Sequence, residues 1–190
     1  MTMNHTIVIL AAGSAKRFGE DKRQALLADG TPLLQRSTAQ ALASSLPVLV
    51  CLRPEDAKMA STLQNLGART LLCPQAHRGM GHTLAAGLER ASNGDGVLIA
   101  LGDMPYIQPA SYRTVAQALK PGAIVVPEYR GSTGHPVGFS RAFYAELAAV
   151  AGDQGARQVI EQNEHAVVRV SLSDAGIHAD IDTPEDIRQS

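Results

Sequence analysis

From one end to the other, the chain alternates between short runs of apolar and β-branched residues and longer stretches whose apolar residues recur at helical spacing. Unbroken apolar runs suit strands buried on both faces, and strands alternating with helices predict a parallel sheet covered by crossover helices. Thr6 to Ile9 reads as the first strand, Pro47 to Leu52 as the second, Thr70 to Cys73 as a short third, and Gly96 to Leu101 (GVLIAL) as the clearest central one. Ala123 to Pro127 and Ala166 to Leu172 follow as later strands. Helices are predicted over Pro32 to Ser45, from Pro54 to about Leu66 with Gly67 closing it, and from about Pro109 to Leu119. A helix of roughly three turns should follow a loop formed by Gly79 and Gly81, and others are expected at Arg141 to Val150 and about Gln154 to Asn163. The Gly-punctuated YRGSTGHPVG, Tyr129 to Gly138, is expected as a loop or hairpin.

No internal repeat, low-complexity tract or long linker divides these elements. A chain of 190 residues suits one domain, and at this size about 70% of the unfolded surface is typically buried. The expectation is therefore a single α/β domain over residues 1–190, a doubly wound, mostly parallel sheet with helices on both faces. Its ligands should gather at the carboxyl ends of the strands.

Composition narrows the partners. A net charge of −1, 4% aromatic residues and no Trp supply neither the basic field nor the stacking platforms of a nucleic-acid binder. Cys51 and Cys73 each sit in an apolar run without metal or redox spacing, which predicts reduced core residues. The opening MTMNHTIVIL lacks the features of a signal peptide, and no apolar run approaches a membrane span, so a cytoplasmic protein without membrane contact is expected.

Candidate chemistry begins where the first strand ends, at LAAGSAKRFGEDK, Leu10 to Lys22. Ala11, Ala12 and Gly13 leave the backbone N–H groups uncovered for an anion, and Arg17 and Lys22 add two positive charges: a socket for a polyphosphate. The bland alternative is a tight turn with two solvated basic side chains. Neither G-x-G-x-x-G nor G-x-x-x-x-G-K-[ST] occurs, which excludes the dinucleotide fingerprint and the P-loop.

Asp103 follows GVLIAL directly and should stand at the sheet's carboxyl edge as a metal ligand, unless it only shapes the turn of GDMP. Near the other end, Thr183 reads as a helix N-cap with Pro184 at the first position and an acidic residue three along. Asp180 and Asp182 alternate along an extended segment and face one side, so either suits a second ligand, Asp182 being favoured as nearer the helix. Mg²⁺ typically takes one or two protein carboxylates and completes its shell with water and phosphates. Two phosphorylated reactants repel by on the order of 4 kcal/mol per close charge pair at an effective dielectric near 20, so cations are needed.

These residues resemble the signature L-A-[AG]-G-x-x-x-R-[FM]-G-x-x-K, filled by Leu10, Ala11, Ala12, Gly13, Arg17, Phe18, Gly19 and Lys22. With GMGHTLAAGL at Gly79 to Leu88, GDMP at Gly102 to Pro105, GHPVGF at Gly134 to Phe139, GDQGAR at Gly152 to Arg157 and DIDTPEDI at Asp180 to Ile187, the chain resembles the MobA-like nucleotidyltransferases. Within them it is most similar to the molybdenum cofactor cytidylyltransferases.

The resemblance implies a Rossmann-like nucleotidyltransferase fold and Mg²⁺-dependent transfer of CMP from CTP, or NMP from another nucleoside triphosphate, to the terminal phosphate of a molybdopterin-type cofactor. A molybdoenzyme would receive the product. It implies Arg17 on the β- and γ-phosphates, Lys22 on the α-phosphate, and Asp103 with Asp182 on the metal. Leu10, Ala11, Ala12, Gly13, Gly79, Gly81 and Thr83 would line the nucleotide site, the Ala12 methyl favouring CTP over GTP.

His135, Asp153 and Arg157 would face the acceptor, Asp153 capping a helix whose N-terminus and Arg157 receive an anionic group. His82 departs from the small hydroxyl residue of relatives and reads as a surface residue. The basic residue often found where Ser132 and Thr133 stand is here displaced to Arg130. Rival readings are a sugar- or alditol-phosphate nucleotidyltransferase, a molybdenum cofactor-binding chaperone with little transferase activity, and an oxidoreductase, for which no nicotinamide or flavin fingerprint is present.

Overall fold

The computed structural model describes residues 4–13, 21–150, 152 and 155–189. One mixed sheet is built from β1 (His5–Leu10), β2 (Val48–Leu52), β3 (Arg69–Leu72), β4 (Gly96–Leu101), β5 (Ile124–Tyr129), β6 (Ser132–Thr133), β7 (Val137–Ser140) and β8 (Val167–Ser171). The order across it is β3-β2-β1-β4-β7-β5-β6, with β8 paired to β5. Strands β1 to β4 are mutually parallel, as their unbroken apolar runs predict, and β8 lies parallel to β5.

Alternation along β1 divides the core. Ile7 and Ile9 enter a cluster with Leu34 and Ala41 of α1 (Leu33–Leu42), Leu63 of α2 (Ala57–Asn65) and Tyr112 and Val115 of α4 (Pro109–Ala118). Val8 and Leu10 enter the opposite cluster with Leu84 and Leu88 of α3 (Met80–Ala91), Leu147 of α5 (Tyr144–Ala149) and Val159 of α6 (Arg157–Gln162). Each fully buried Leu, Ile or Val stabilises the fold by about 1.5–3 kcal/mol, so the alternating pattern sets which helix covers which face.

Several elements depart from expectation. Strand β7, which the sequence reads as part of a loop, runs antiparallel between β4 and β5. Gly138 packs closely there, where a Cβ would stand 3.1 Å from Cγ1 of Val115 and press that side chain aside, and that same glycine disguises the strand. The segment before it does form a hairpin: Tyr129 pairs with Ser132 across Arg130 and Gly131, both at positive φ. Helix α2 begins at Ala57 after Asp56, so Pro54 lies outside its first turn. Helix α3 begins at Met80, which puts Gly81 and Thr83 inside its first turn instead of in a loop. His82 is thereby a half-buried helix residue, with an Nδ1 closed to solvent.

Two buried networks hold the loops at the carboxyl edge. Arg23 is buried, donates from Nη1 to the carbonyl of Ala11 at 2.9 Å, and clasps Asp56 with both terminal nitrogens, Nη2 reaching Oδ1 at 2.9 Å. The same guanidinium donates to Asp21, from Nε at 2.8 Å and Nη2 at 2.7 Å. The second network centres on Asp174, 3% exposed, which accepts from Gln108 N at 2.9 Å, Ser111 Oγ at 2.6 Å and Gly176 N at 2.9 Å. It joins the start of α4 to the turn at Ala175–His178. That turn accepts His135 N at the Ile177 carbonyl, 3.0 Å, and the next residues close on the loop after β4 through Ile181 N to Asp103 O, 3.0 Å.

Removing Asp174 strands three buried donors. Hydrogen bonds to a charged group contribute about 1.5–3 kcal/mol each, non-additively, so Asp174→Ala should lower unfolding stability by about 3 kcal/mol, read as a shift in the urea midpoint. Hydrogen bonds from Arg23 hold the Asp21 carboxyl down at about 2, against burial, from an ordinary 3.8. A carboxyl depressed in the folded state contributes stability that is complete above its unfolded value and is lost as pH falls toward its folded one. The stability difference between wild type and Arg23→Gln should therefore shrink as pH drops from about 4 to about 2, measured by urea unfolding at each pH.

Candidate active site

Strands β1 and β4 pair in register up to Leu10 and Leu101, so the loops that leave them start side by side. Gly102 N donates to the Leu10 carbonyl at 3.0 Å, and a Cβ at Gly102 would stand 2.9 Å from that of Ala11. Only glycine lets the two loops approach this closely, and the next residue is Asp103.

Lys22 enters from the short 3-10 turn Lys22–Gln24, capped by Asp21. Its Nζ donates to Asp103 Oδ2 at 2.8 Å and to Asp182 Oδ1 at 3.0 Å. The lysine side chain is 10% exposed, that of Asp103 27% and that of Asp182 56%. Burial alone would lower the Lys22 pKa, but the hydrogen bonds and fields of Asp103 and then Asp182 raise it, so the amine is charged. Asp180 is shifted upward by burial and then by the fields of Asp182 and Asp103.

The backbone of Asp182 is fixed by Asp186 in α7 (Pro184–Gln189), whose Oδ2 accepts from Asp182 N at 2.9 Å, Thr183 N at 2.7 Å and Thr183 Oγ1 at 3.0 Å. The helix thus starts as expected, with Pro184 first after Thr183 and the acidic residue three along reaching back to the Thr183 N–H, while the Thr183 hydroxyl donates to that same carboxylate. The Asp182 side chain is left to Lys22.

These residues fit a hard divalent cation. Asp103 Oδ1 is closed to solvent and has no partner among the described residues, beside a second carboxylate brought in from the far end of the chain. Among the described residues no three His, Cys, Asp or Glu side chains form a metal-holding group, so the rest of a coordination shell would come from water and phosphate oxygens, as suits Mg²⁺.

Beside this cluster lies a cavity of about 730 Å³, lined by Leu10, Met80, Met104, His135, Asp180 and Arg157 among others. That volume is ordinary for a small-molecule site. His135 sits in its wall with an unpartnered Nδ1, and burial, first among the influences on it, pushes its pKa down and keeps the ring neutral. Arg157 opens α6 with a side chain 85% exposed and paired to Glu161 at 2.8 Å.

The remaining expected site residues are distributed as follows. Leu10, Ala11 and Ala12 are buried, and Gly13 is exposed with its carbonyl accepting from Arg53. Gly79, at φ +115°, precedes α3; Gly81 N donates to Gly152 O at 2.8 Å, which joins the GMGHT and GDQGAR segments; Thr83 is buried. Arg17 and Asp153 lie outside the described residues. His82 faces a second hollow of about 630 Å³ between α3 and α5. Sequence reasoning missed Arg23, Asp21 and Asp56, which hold the site's backbone. The run Asp21-Lys22-Arg23 was the available signal, because a second cation beside a buried lysine needs counter-charges of its own.

Comparison with known proteins gives the family. The MobA-like NTP transferase domain matches residues 7–167. The chain is 31% identical to the purine catabolism protein PucB of Bacillus subtilis over 94% of this chain and 92% of that one. It is 27% identical to the nicotine blue oxidoreductase of Paenarthrobacter nicotinovorans over 95% and 93%. The Mycobacterium tuberculosis protein Rv0371c, solved in complex with manganese, is 27% identical with a TM-score of 0.78 over 98% and 97% of the two chains. In fold alone it is similar to molybdopterin-guanine dinucleotide biosynthesis protein A of Archaeoglobus fulgidus, 18% identical with a TM-score of 0.69 over 97% and 95%. A nucleotidyltransferase sheet, a loop of small residues at its carboxyl edge and a lysine between two remote carboxylates thus meet in one chain, which belongs to the MobA-like NTP transferase family.

Proposed function

We propose that the protein transfers CMP from CTP to the terminal phosphate of a molybdopterin-type cofactor, releasing pyrophosphate, with Mg²⁺ as the metal. The observation that carries this reading is the convergence of Asp103 and Asp182 on Lys22 Nζ beside the loop that begins at Leu10. An acceptor phosphate oxygen attacks the α-phosphorus of CTP, a new P–O bond forms, and the bond from that phosphorus to the α,β-bridging oxygen breaks. No protein nucleophile is required, so catalysis consists of alignment and charge neutralisation. Mg²⁺ bound at Asp103 and Asp182 would supply charge neutralisation to the triphosphate.

In this reading Lys22 turns to the α-phosphate and Arg17 holds the departing β- and γ-phosphates. Ala11, Ala12 and Gly13 present backbone to the triphosphate, while Gly79, Gly81 and Thr83 flank the nucleoside. The Ala12 methyl narrows the base pocket against a purine. The 730 Å³ cavity receives the acceptor against a neutral His135, with Arg157 taking its anionic group, and the role given to Asp153 is to cap the helix that Arg157 opens. The exposed pairing of Arg157 with Glu161 is no obstacle, since such surface pairs are worth only about 0.3–0.5 kcal/mol. The reading places the protein in the cytoplasm, delivering product to a molybdoenzyme.

Incubation with Mg²⁺, each of the four nucleoside triphosphates and isolated molybdenum cofactor should yield the cytosine dinucleotide by mass spectrometry. Turnover with sugar phosphates in its place would favour the sugar-phosphate alternative, and cofactor binding without pyrophosphate release would favour a carrier. Asp103→Ala should cut Mg²⁺-dependent pyrophosphate release at least about a hundredfold while circular dichroism is preserved. Ala12→Gly should lower the CTP-to-GTP ratio of kcat/KM in competition assays, and an unchanged ratio would remove the base-pocket role of that methyl.

A further inference from the structure

We infer that Lys22 is a tethered stand-in for the divalent cation: in the nucleotide-free protein its ammonium fills the position between Asp103 and Asp182, and a metal ion can enter only as the lysine leaves. This deepens the proposed reading and rests on its two-carboxylate site, but it concerns the state before any nucleotide arrives.

Geometry and charge carry the inference. Nζ lies 2.8 Å from Asp103 Oδ2 and 3.0 Å from Asp182 Oδ1, so one compact cation already contacts an oxygen of each carboxylate. Asp182 reaches this point from 160 residues away and Asp103 from 81, and their common partner is a lysine of the first loop's signature. Without Lys22, Asp103 would keep two unpaired oxygens in a partly buried site, Oδ1 having no partner among the described residues even now.

The two aspartates carry two negative charges against one positive charge on the lysine, and Asp180 lies within the field of all three. A divalent ion added without moving the lysine would leave it facing two positive charges more at close range, where like charges a few Å apart repel by several kcal/mol. An ammonium on a flexible four-carbon stem is suited to withdrawal, whereas a guanidinium fork would lock bidentately. Triphosphate supplies the alternative anion for Lys22, so metal and nucleotide enter together and the nucleotide-free site resists free metal.

The test is Mn²⁺ binding to the full chain without nucleotide, followed by the electron paramagnetic resonance signal of the free ion. Wild type should bind weakly, Lys22→Met at least tenfold more tightly, and Lys22→Met with Asp103→Asn should lose that gain. Equal or weaker binding by Lys22→Met would overturn the inference. A second measurement needs no variant: reductive methylation of wild type, read by mass spectrometry, should modify Lys22 more slowly than the exposed Lys58 and Lys120, and saturating Mn²⁺ should speed Lys22 alone. A Lys22 rate that Mn²⁺ leaves unchanged would also overturn it. The proposed transferase fails separately, through absence of dinucleotide product, so the two outcomes remain distinct.

Discussion

Two carboxylates, one from the middle of the chain and one from just before its last helix, drawn to within 3.0 Å of one ammonium, are the contact on which the site depends. Left unpaired at this distance from the core, Asp103 and Asp182 would repel each other and the nearby Asp180, whose pKa is raised by burial first and by their fields after it. Lys22 resolves that repulsion from within the chain. A site able to hold a cation is therefore folded and neutralised in part before a substrate reaches it.

This contact is set by the backbone beneath it. The Gly102 approach to Ala11 brings the first loop to the base of Asp103, and the Arg23 guanidinium holds the Ala11 carbonyl while Asp21 and Asp56 satisfy its remaining nitrogens. On the other side Asp174 fastens the turn at Ala175–His178, from which Ile181 closes on the carbonyl of Asp103. Each network buries an ion only where its hydrogen bonds are met, which is the condition for buried charge to hold geometry without unfolding the protein. The reactive groups can then be few, because positioning is done by groups that touch no substrate.

The cavity beside the cluster follows from the one irregularity of the sheet. With β7 inserted antiparallel, the turn carrying Gly134 and His135 is directed to the carboxyl edge of β4 and set against Ile177. Its wall combines apolar side chains of the strands with Thr133, a neutral His135, Asp180, His178 and the charged Arg157, Glu161 and Arg169.

The sequence alone was enough for the elements whose burial has a regular period. The runs at Thr6 to Ile9, Pro47 to Leu52 and Gly96 to Leu101 are strands because apolar residues without interruption must be covered on both faces, and the signature residues stand at their ends. It also narrowed the second carboxylate to Asp180 or Asp182, since alternation fixes which residues share a side. Only tertiary structure decided that Asp182 meets Lys22, that Arg23 is a clamp, and that Val137–Ser140 is a strand. Local period reports what a segment buries, but a partner 81 or 160 residues away is chosen by the crossovers that bring strand ends together. Gly138 reads as a loop breaker until the Val115 side chain packed against it is in place.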